Sequence, residues 1–166
     1  MIFRYDFIDT INNKTILNLK GFIESHMDSI ECLHLNISSL GGDVAPAITI
    51  YNYLKCLNFK IVTHNLGEVT SAAVIMYLAG NTRTAEKYSK FIMHPITIGI
   101  NDSLSYFKLQ ELIQLVDADI KNYALIVNHE TNSLKGLYNV EECLKSRSIT
   151  LCPESAFQCG IVTHVL

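Results

Sequence analysis

Charge is scarce in this chain: Asp, Glu, Lys and Arg make up only 17% of its 166 residues, against 49% hydrophobic residues. The small net charge of −3 leaves no basic footprint for nucleic acid or for an anionic membrane surface. No run of 18 uninterrupted apolar residues occurs, so no segment is expected to span a membrane. The five cysteines (Cys32, Cys56, Cys143, Cys152 and Cys159) are odd in number, form no CxxC pair and stand at no Cys/His zinc spacing. Neither a disulfide framework nor a metal or cofactor site is expected; free thiols in a reducing compartment are, several of them filling the core. Met1 to Tyr5 lacks the make-up of a secretory signal, and the expectation is a cytoplasmic protein. Linkers, charge blocks and internal repeats are missing too, so one domain over residues 1–166 is expected. A chain so apolar for its size points to self-association.

Against these absences stands an alternation of strand and helix patterns. Strands are predicted at Ile2–Phe7, Cys32–Ile37, Lys60–His64, Arg83–Glu86 and Phe91–His94, with Ile161–Leu166 closing the chain. Helical spacing is predicted over Asn12–His26, Ala45–Leu57, Thr70–Leu78 and Leu104–Asn128, and in part over Asn132–Arg147. Gly67 is read as a strand breaker, and Pro95–Ser103 as a loop or extended excursion. Pro153 suits a first helical turn and Gly160 a helix end. The order indicates an α/β fold of βαβ units, in which functional groups gather where strands end and helices begin.

Three such junctions carry candidate chemistry. In Gly67-Glu68-Val69-Thr70-Ser71-Ala72-Ala73 a serine lies just inside the start of an apolar helix, near unpaired N–H groups and the positive end of the dipole. Taken alone, Ser71 or Thr70 reads more readily as a helix cap. Ser39-Leu40-Gly41-Gly42-Asp43-Val44 follows a strand and opens a helix; paired glycines there allow positive φ and expose a backbone N–H. It is neither a dinucleotide fingerprint nor a Walker loop. His94 ends the strand Phe91-Ile92-Met93 and is followed by Pro95, a suitable setting for a general base. His34 and His64 read as ordinary strand residues.

The order of these segments resembles the ClpP family of serine peptidases. Leu35 to Val44 is similar to that family's strand and SPGG loop, with Leu40 in place of the proline. Gly67 to Ala73 resembles its nucleophile turn, Phe91 to Pro95 its histidine strand, and Leu151 to Val162 its closing helix-turn-strand. The resemblance runs from about Ile8 to Leu166. It implies a spiral of β-β-α units, as in ClpP and crotonase folds, with a protruding strand-and-helix handle.

For mechanism it implies Ser71 as nucleophile, His94 as general base, and the Gly42 and Ala72 N–H groups as an oxyanion hole. Gly41, Asp43 and Val44 would border an extended peptide or unfolded polypeptide substrate. The family's third catalytic residue, an aspartate before the closing helix, has no counterpart: no aspartate follows Asp119. Counting back from Leu151 puts Ser148 at that position, with Glu141 and Glu142 as upstream alternatives. The resemblance also implies a homo-oligomer, with stacked rings meeting through the handle; an AAA+ unfoldase partner is left open, since the chain starts almost at its first strand. Two rival readings stand beside the active peptidase: an inactive pseudo-subunit, and a crotonase-like acyl-CoA binder.

Overall fold

Alternation builds the sheet. The structure is a computed structural model and describes residues 1–100, 103–131 and 138–164. Strands β1 (Ile2–Phe7), β2 (Cys32–Ser39) and β3 (Lys60–Thr70) lie side by side in parallel. In β2, Leu33, Leu35 and Ile37 are fully buried while His34 and Asn36 between them are half-buried, the period of two that a pleated strand imposes. Parallel neighbours need crossovers, supplied here by α1 (Asn13–Ser25) and α2 (Val44–Lys55). Asn12 caps α1: its Oδ1 accepts from the Thr15 N–H at 3.0 Å, and the Thr15 hydroxyl accepts from the Asn12 N–H at 3.0 Å. A cap of this kind contributes about 1 kcal/mol. Ile16, Leu19 and Ile23 then line the buried side of α1 at helical spacing.

At the centre is the short helix α3 (Ala72–Tyr77), buried on every side. Strand β4 (Thr82–Ala85) pairs with the first part of β3, and β5 (Lys90–Met93) with its last three residues. The long helix α4 (Tyr106–Glu130) follows, then α5 (Val140–Lys145), β6 (Ile149–Leu151) and α6 (Pro153–Gln158). The buried residues of α4 (Ile120, Tyr123, Ala124 and Val127) all fall in its second half. Tyr106 and Phe107 at its start are 76% and 68% exposed, so the first half stands off the body as the expected handle helix.

Several predicted boundaries are corrected. Gly67 does not break β3. Between Ile37↔Asn65 and Ser39↔Val69, β3 advances four residues while β2 advances two, and this bulge lets one strand exchange neighbour β4 for neighbour β5. The expected handle strand is not formed by residues 95–100, which lie beside no partner strand, although Ile96 N–H donates to the Leu144 carbonyl at 2.9 Å; residues 101–102 lie outside the described residues. Ile161 to His164 is not a strand either: it ties to Arg83 through isolated bonds rather than a ladder, and Val165 and Leu166 lie outside the described residues. Of the stretch expected to be partly helical, residues 132–137 are likewise outside, and 140–145 form α5. The unforeseen strand is β6, antiparallel to β5. Pro153 does open α6, and Gly160, at φ 78°, follows its end. All five cysteines are free, with Cys143 and Cys159 buried.

One buried cation fastens the far side of the sheet. Arg83 Nε donates to the Ile161 carbonyl at 2.8 Å, and Nη2 donates to the carbonyls of Gly160 and Glu130, both at 2.9 Å. The Glu130 carboxylate sits 3.5 Å from Nη1 and also accepts from Tyr51 at 2.6 Å and pairs with Lys55 at 2.9 Å. Burial pushes the Glu130 carboxyl upward, but the Tyr51 and Lys55 hydrogen bonds and the Lys55 and Arg83 charges outweigh it and hold it below the ordinary range.

Candidate active site

Strand β3 ends and α3 begins within one residue, and that residue is Ser71. Its backbone lies at φ 55°, ψ −128°, the only positive φ outside glycine among the described residues. Such a conformation costs on the order of 1–3 kcal/mol and persists only where its surroundings impose it. Here they do. The Ser71 N–H donates to the Ile92 carbonyl at 2.7 Å, and the Ser71 carbonyl accepts from the Val74 N–H at 2.9 Å and the Tyr123 hydroxyl at 2.7 Å. Ser71 therefore precedes α3 rather than lying inside it. It occupies the N-cap position, yet its side chain caps nothing, and the Thr70 hydroxyl donates instead to Glu68 Oε1 at 2.7 Å. The capping alternative is not the geometry adopted.

The glycine pair closes against this turn. Ile11 and Gly42 form a parallel bridge in which the Ile11 N–H donates to the Gly41 carbonyl at 2.7 Å and the Asp43 N–H to the Ile11 carbonyl at 2.9 Å. Backbone groups alternate in direction along an extended segment, so those of Gly42 are left free of Ile11. Gly41, at φ 93°, approaches so closely that a Cβ there would lie 2.8 Å from Ser71 Cβ and 2.6 Å from the Thr70 carbonyl oxygen. Only glycine fits. The N–H of Gly42 and that of Ala72, a first helical residue with no intrahelical partner, have no acceptor among the described residues, and neither has that of Ala73. Asp43 is exposed, with its amide engaged by Ile11, and Val44 packs half-buried against the core.

His94 follows β5 directly, and β5 is held to the end of β3 through Thr70↔Ile92. Ser71 and His94 thus emerge at the ends of two adjacent strands. Among the described residues no hydrogen bond joins them; His94 Nδ1 lies 2.8 Å from the Pro95 carbonyl oxygen. A carbonyl can only accept, so this partner requires the proton on Nδ1 and leaves Nε2 as the basic nitrogen.

The antiparallel register Met93↔Ile149, extended by one residue, sets Ser148 opposite His94. Ser148 is exposed and makes no hydrogen bond to the imidazole among the described residues. Glu142 lies 3.6 Å from Arg147, a surface pair, and no described carboxylate bonds to His94. Sequence reading missed the Pro95 carbonyl and Tyr123; the tyrosine looks like any other apolar-face residue of a long helix, and only the fold brings its hydroxyl to Ser71.

A serine held in a strained turn, unengaged N–H groups at that junction and an imidazole on the adjacent strand end are groups of the kind that acyl transfer uses. The profile of the Clp protease family matches residues 2–166. The chain is 27% identical, over 81% of its length, to an ATP-dependent Clp protease proteolytic subunit 1 from Rhodopirellula baltica, and spans 58% of that relative. It is 29% identical to the protein of the same description from Thermobifida fusca, over 95% of this chain and 69% of that one. A ClpP1 mutant from Listeria monocytogenes shares the fold, with a TM-score of 0.78 over 98% of this chain and 90% of that one at 19% identity. With the fold in common and the profile matched from Ile2 to Leu166, the chain belongs to the Clp protease family.

Proposed function

We propose that the protein is a serine endopeptidase acting as one domain over residues 1–166, with Ser71 as nucleophile and His94 as general base. The observation that carries this reading is the strained Ser71 turn packed against Gly41. Ser71 Oγ attacks the scissile carbonyl carbon while His94 Nε2 takes its proton. The oxyanion that forms is held by the Gly42 and Ala72 N–H groups, each worth about 2.7–4 kcal/mol to the transition state. Collapse breaks the C–N bond, the imidazolium returns the proton to the departing amine, and water repeats the sequence to free Ser71. No metal or cofactor is called for. The peptide or unfolded polypeptide lies extended beside Gly41, Asp43 and Val44.

Assembly is part of the proposal. The exposed Tyr106, Phe107, Leu109, Ile113 and Leu115 give α4 an apolar surface suited to a second copy, consistent with a homo-oligomer of stacked rings. An AAA+ unfoldase would supply unfolded chains. None of the described helices is long and apolar enough to cross a membrane, and a cytoplasmic site of action fits the free cysteines.

A second reading, a non-cleaving pseudo-subunit, is favoured by one observation: among the described residues no carboxylate supports His94, and Ser148 at the third position is neutral. Exposure to a fluorophosphonate, followed by intact-mass measurement, separates the two. A single adduct absent from Ser71→Ala supports the peptidase, whereas an assembled but unlabelled wild type supports the pseudo-subunit. Labelling that persists in Ser71→Ala sinks both the Ser71 assignment and the pseudo-subunit reading.

A further inference from the structure

A buried hydroxyl on α4 ends directly on the backbone of the proposed nucleophile. Tyr123 is completely buried, in the second half of a helix whose first half stands free, and its hydroxyl donates to the Ser71 carbonyl at 2.7 Å across 52 residues of sequence. The carbonyl is already satisfied by the Val74 N–H at 2.9 Å. The second bond is therefore not needed to avoid an orphaned acceptor. Burial pushes the Tyr123 phenol above its ordinary range, so the hydroxyl remains a donor at every working pH.

The consequence lies in the peptide unit. The Ser71 carbonyl and the Ala72 N–H belong to one rigid plane and point in opposite directions across it. Whatever fixes the carbonyl aims the N–H. The Ser71 N–H, bonded to Ile92, fixes the plane on the other side of the residue, so the two bonds together hold both torsions of a strained conformation. From this geometry we infer that Tyr123 is a positioning residue for the oxyanion hole: its hydroxyl orients the Ser71–Ala72 peptide so that the Ala72 N–H faces the developing oxyanion. The inference rests on the proposed assignment of Ser71 and Ala72. It adds that the reactivity of the serine depends on how α4 is seated.

The test compares two tyrosines of similar burial. Tyr123→Phe keeps the ring and removes the bond to Ser71; Tyr77→Phe keeps its ring and removes a 2.9 Å bond to the Thr84 carbonyl, at the opposite end of α3 from Ala72. Both are made in the full chain. Active-site titration with a fluorophosphonate counts competent molecules, so rates are read per folded site even if part of a preparation misfolds.

In Tyr123→Phe, kcat for peptide cleavage is expected to fall about tenfold with KM unchanged, as for any interaction made only in the transition state. The affinity of a peptide boronate, which places a negative oxygen in the same hole, should fall in the same ratio. Tyr77→Phe should leave both within twofold. Equal behaviour of the two variants, or a Tyr123→Phe loss confined to thermal stability or to KM, overturns the positioning role. If wild-type protein is not labelled at Ser71 at all, it is the proposed function that fails; if wild type and Tyr123→Phe react alike, only this inference does.

Discussion

Ser148 and His94 each lie one residue beyond the last β5–β6 pair, Met93↔Ile149, yet the imidazole turns its Nδ1 to the Pro95 carbonyl oxygen at 2.8 Å. A backbone carbonyl sets the tautomer but carries no full charge to stabilise an imidazolium. Ser148→Ala is accordingly expected to change kcat by less than about twofold, since a neutral hydroxyl contributes little to an imidazolium. Ser148→Asp places a carboxylate one residue beyond the Met93↔Ile149 pair, next to His94 in register, and should raise kcat by about tenfold or more, with KM little altered. Steady-state cleavage of a fluorogenic peptide measures both. A Ser148→Ala variant that loses most activity would show that the serine orients His94 after all.

Gly41→Ala should silence the site. The added methyl meets the Thr70 carbonyl at 2.6 Å and Ser71 Cβ at 2.8 Å, and the backbone sits at φ 93°. Relief requires the glycine turn to move off Ser71, which withdraws the Gly42 N–H. The expected loss in kcat is on the order of 10²–10³, the range seen for removal of one oxyanion donor. Circular dichroism and thermal melting separate this from unfolding.

Ser71 itself should be a costly residue for the fold. Its conformation at φ 55° is one that glycine adopts freely. Ser71→Gly is therefore expected to be more stable than Ser71→Ala by about 1 kcal/mol, although neither can be labelled by a fluorophosphonate. Denaturant midpoints at constant slope provide the comparison, and an alanine variant as stable as the glycine one would remove the claim of strain.

Acid should loosen the anchor on the far side. The Glu130 carboxyl is held below its ordinary value, so the stability it adds is present above the unfolded value, near about pH 4.3, and is lost as pH falls through the lower native one. Glu130→Gln leaves the Arg83 cation buried without a counter-charge, at an expected cost of about 3–5 kcal/mol at neutral pH. The gap between wild type and variant should narrow below that range. Melting curves from pH 7 to pH 3 test the sign.

How much of this was legible in the sequence follows from whether a feature is local. β1, α1 and α2 were readable within a residue or two because alternation and helical spacing are properties of short windows. Gly67 misled because glycine usually punctuates a strand, whereas here the strand runs on through a bulge whose purpose, the change of partner, exists only in three dimensions. Ile161-Val162-Thr163 has the composition of a strand but no ladder to join. The positions of Ser71 and His94 could be anticipated from motif order. The φ of Ser71 could not, since it is imposed by Ile92 and by Tyr123 on a distant helix. Nor could the partner of His94, a main-chain oxygen with no signature in residue type.

The Arg83 anchor also sets a schedule. Its guanidinium is satisfied by the carbonyls of Gly160 and Ile161, 77 and 78 residues downstream. On a translating ribosome those acceptors appear well after Arg83, and until they do the β4 side of the sheet would have to bury a cation with too few partners, which strongly disfavours closure. Ser71 has been synthesised by then, but the sheet that carries it lacks these two acceptors. The β4 side of the sheet is thereby made to close only after residues 160 and 161 are in place.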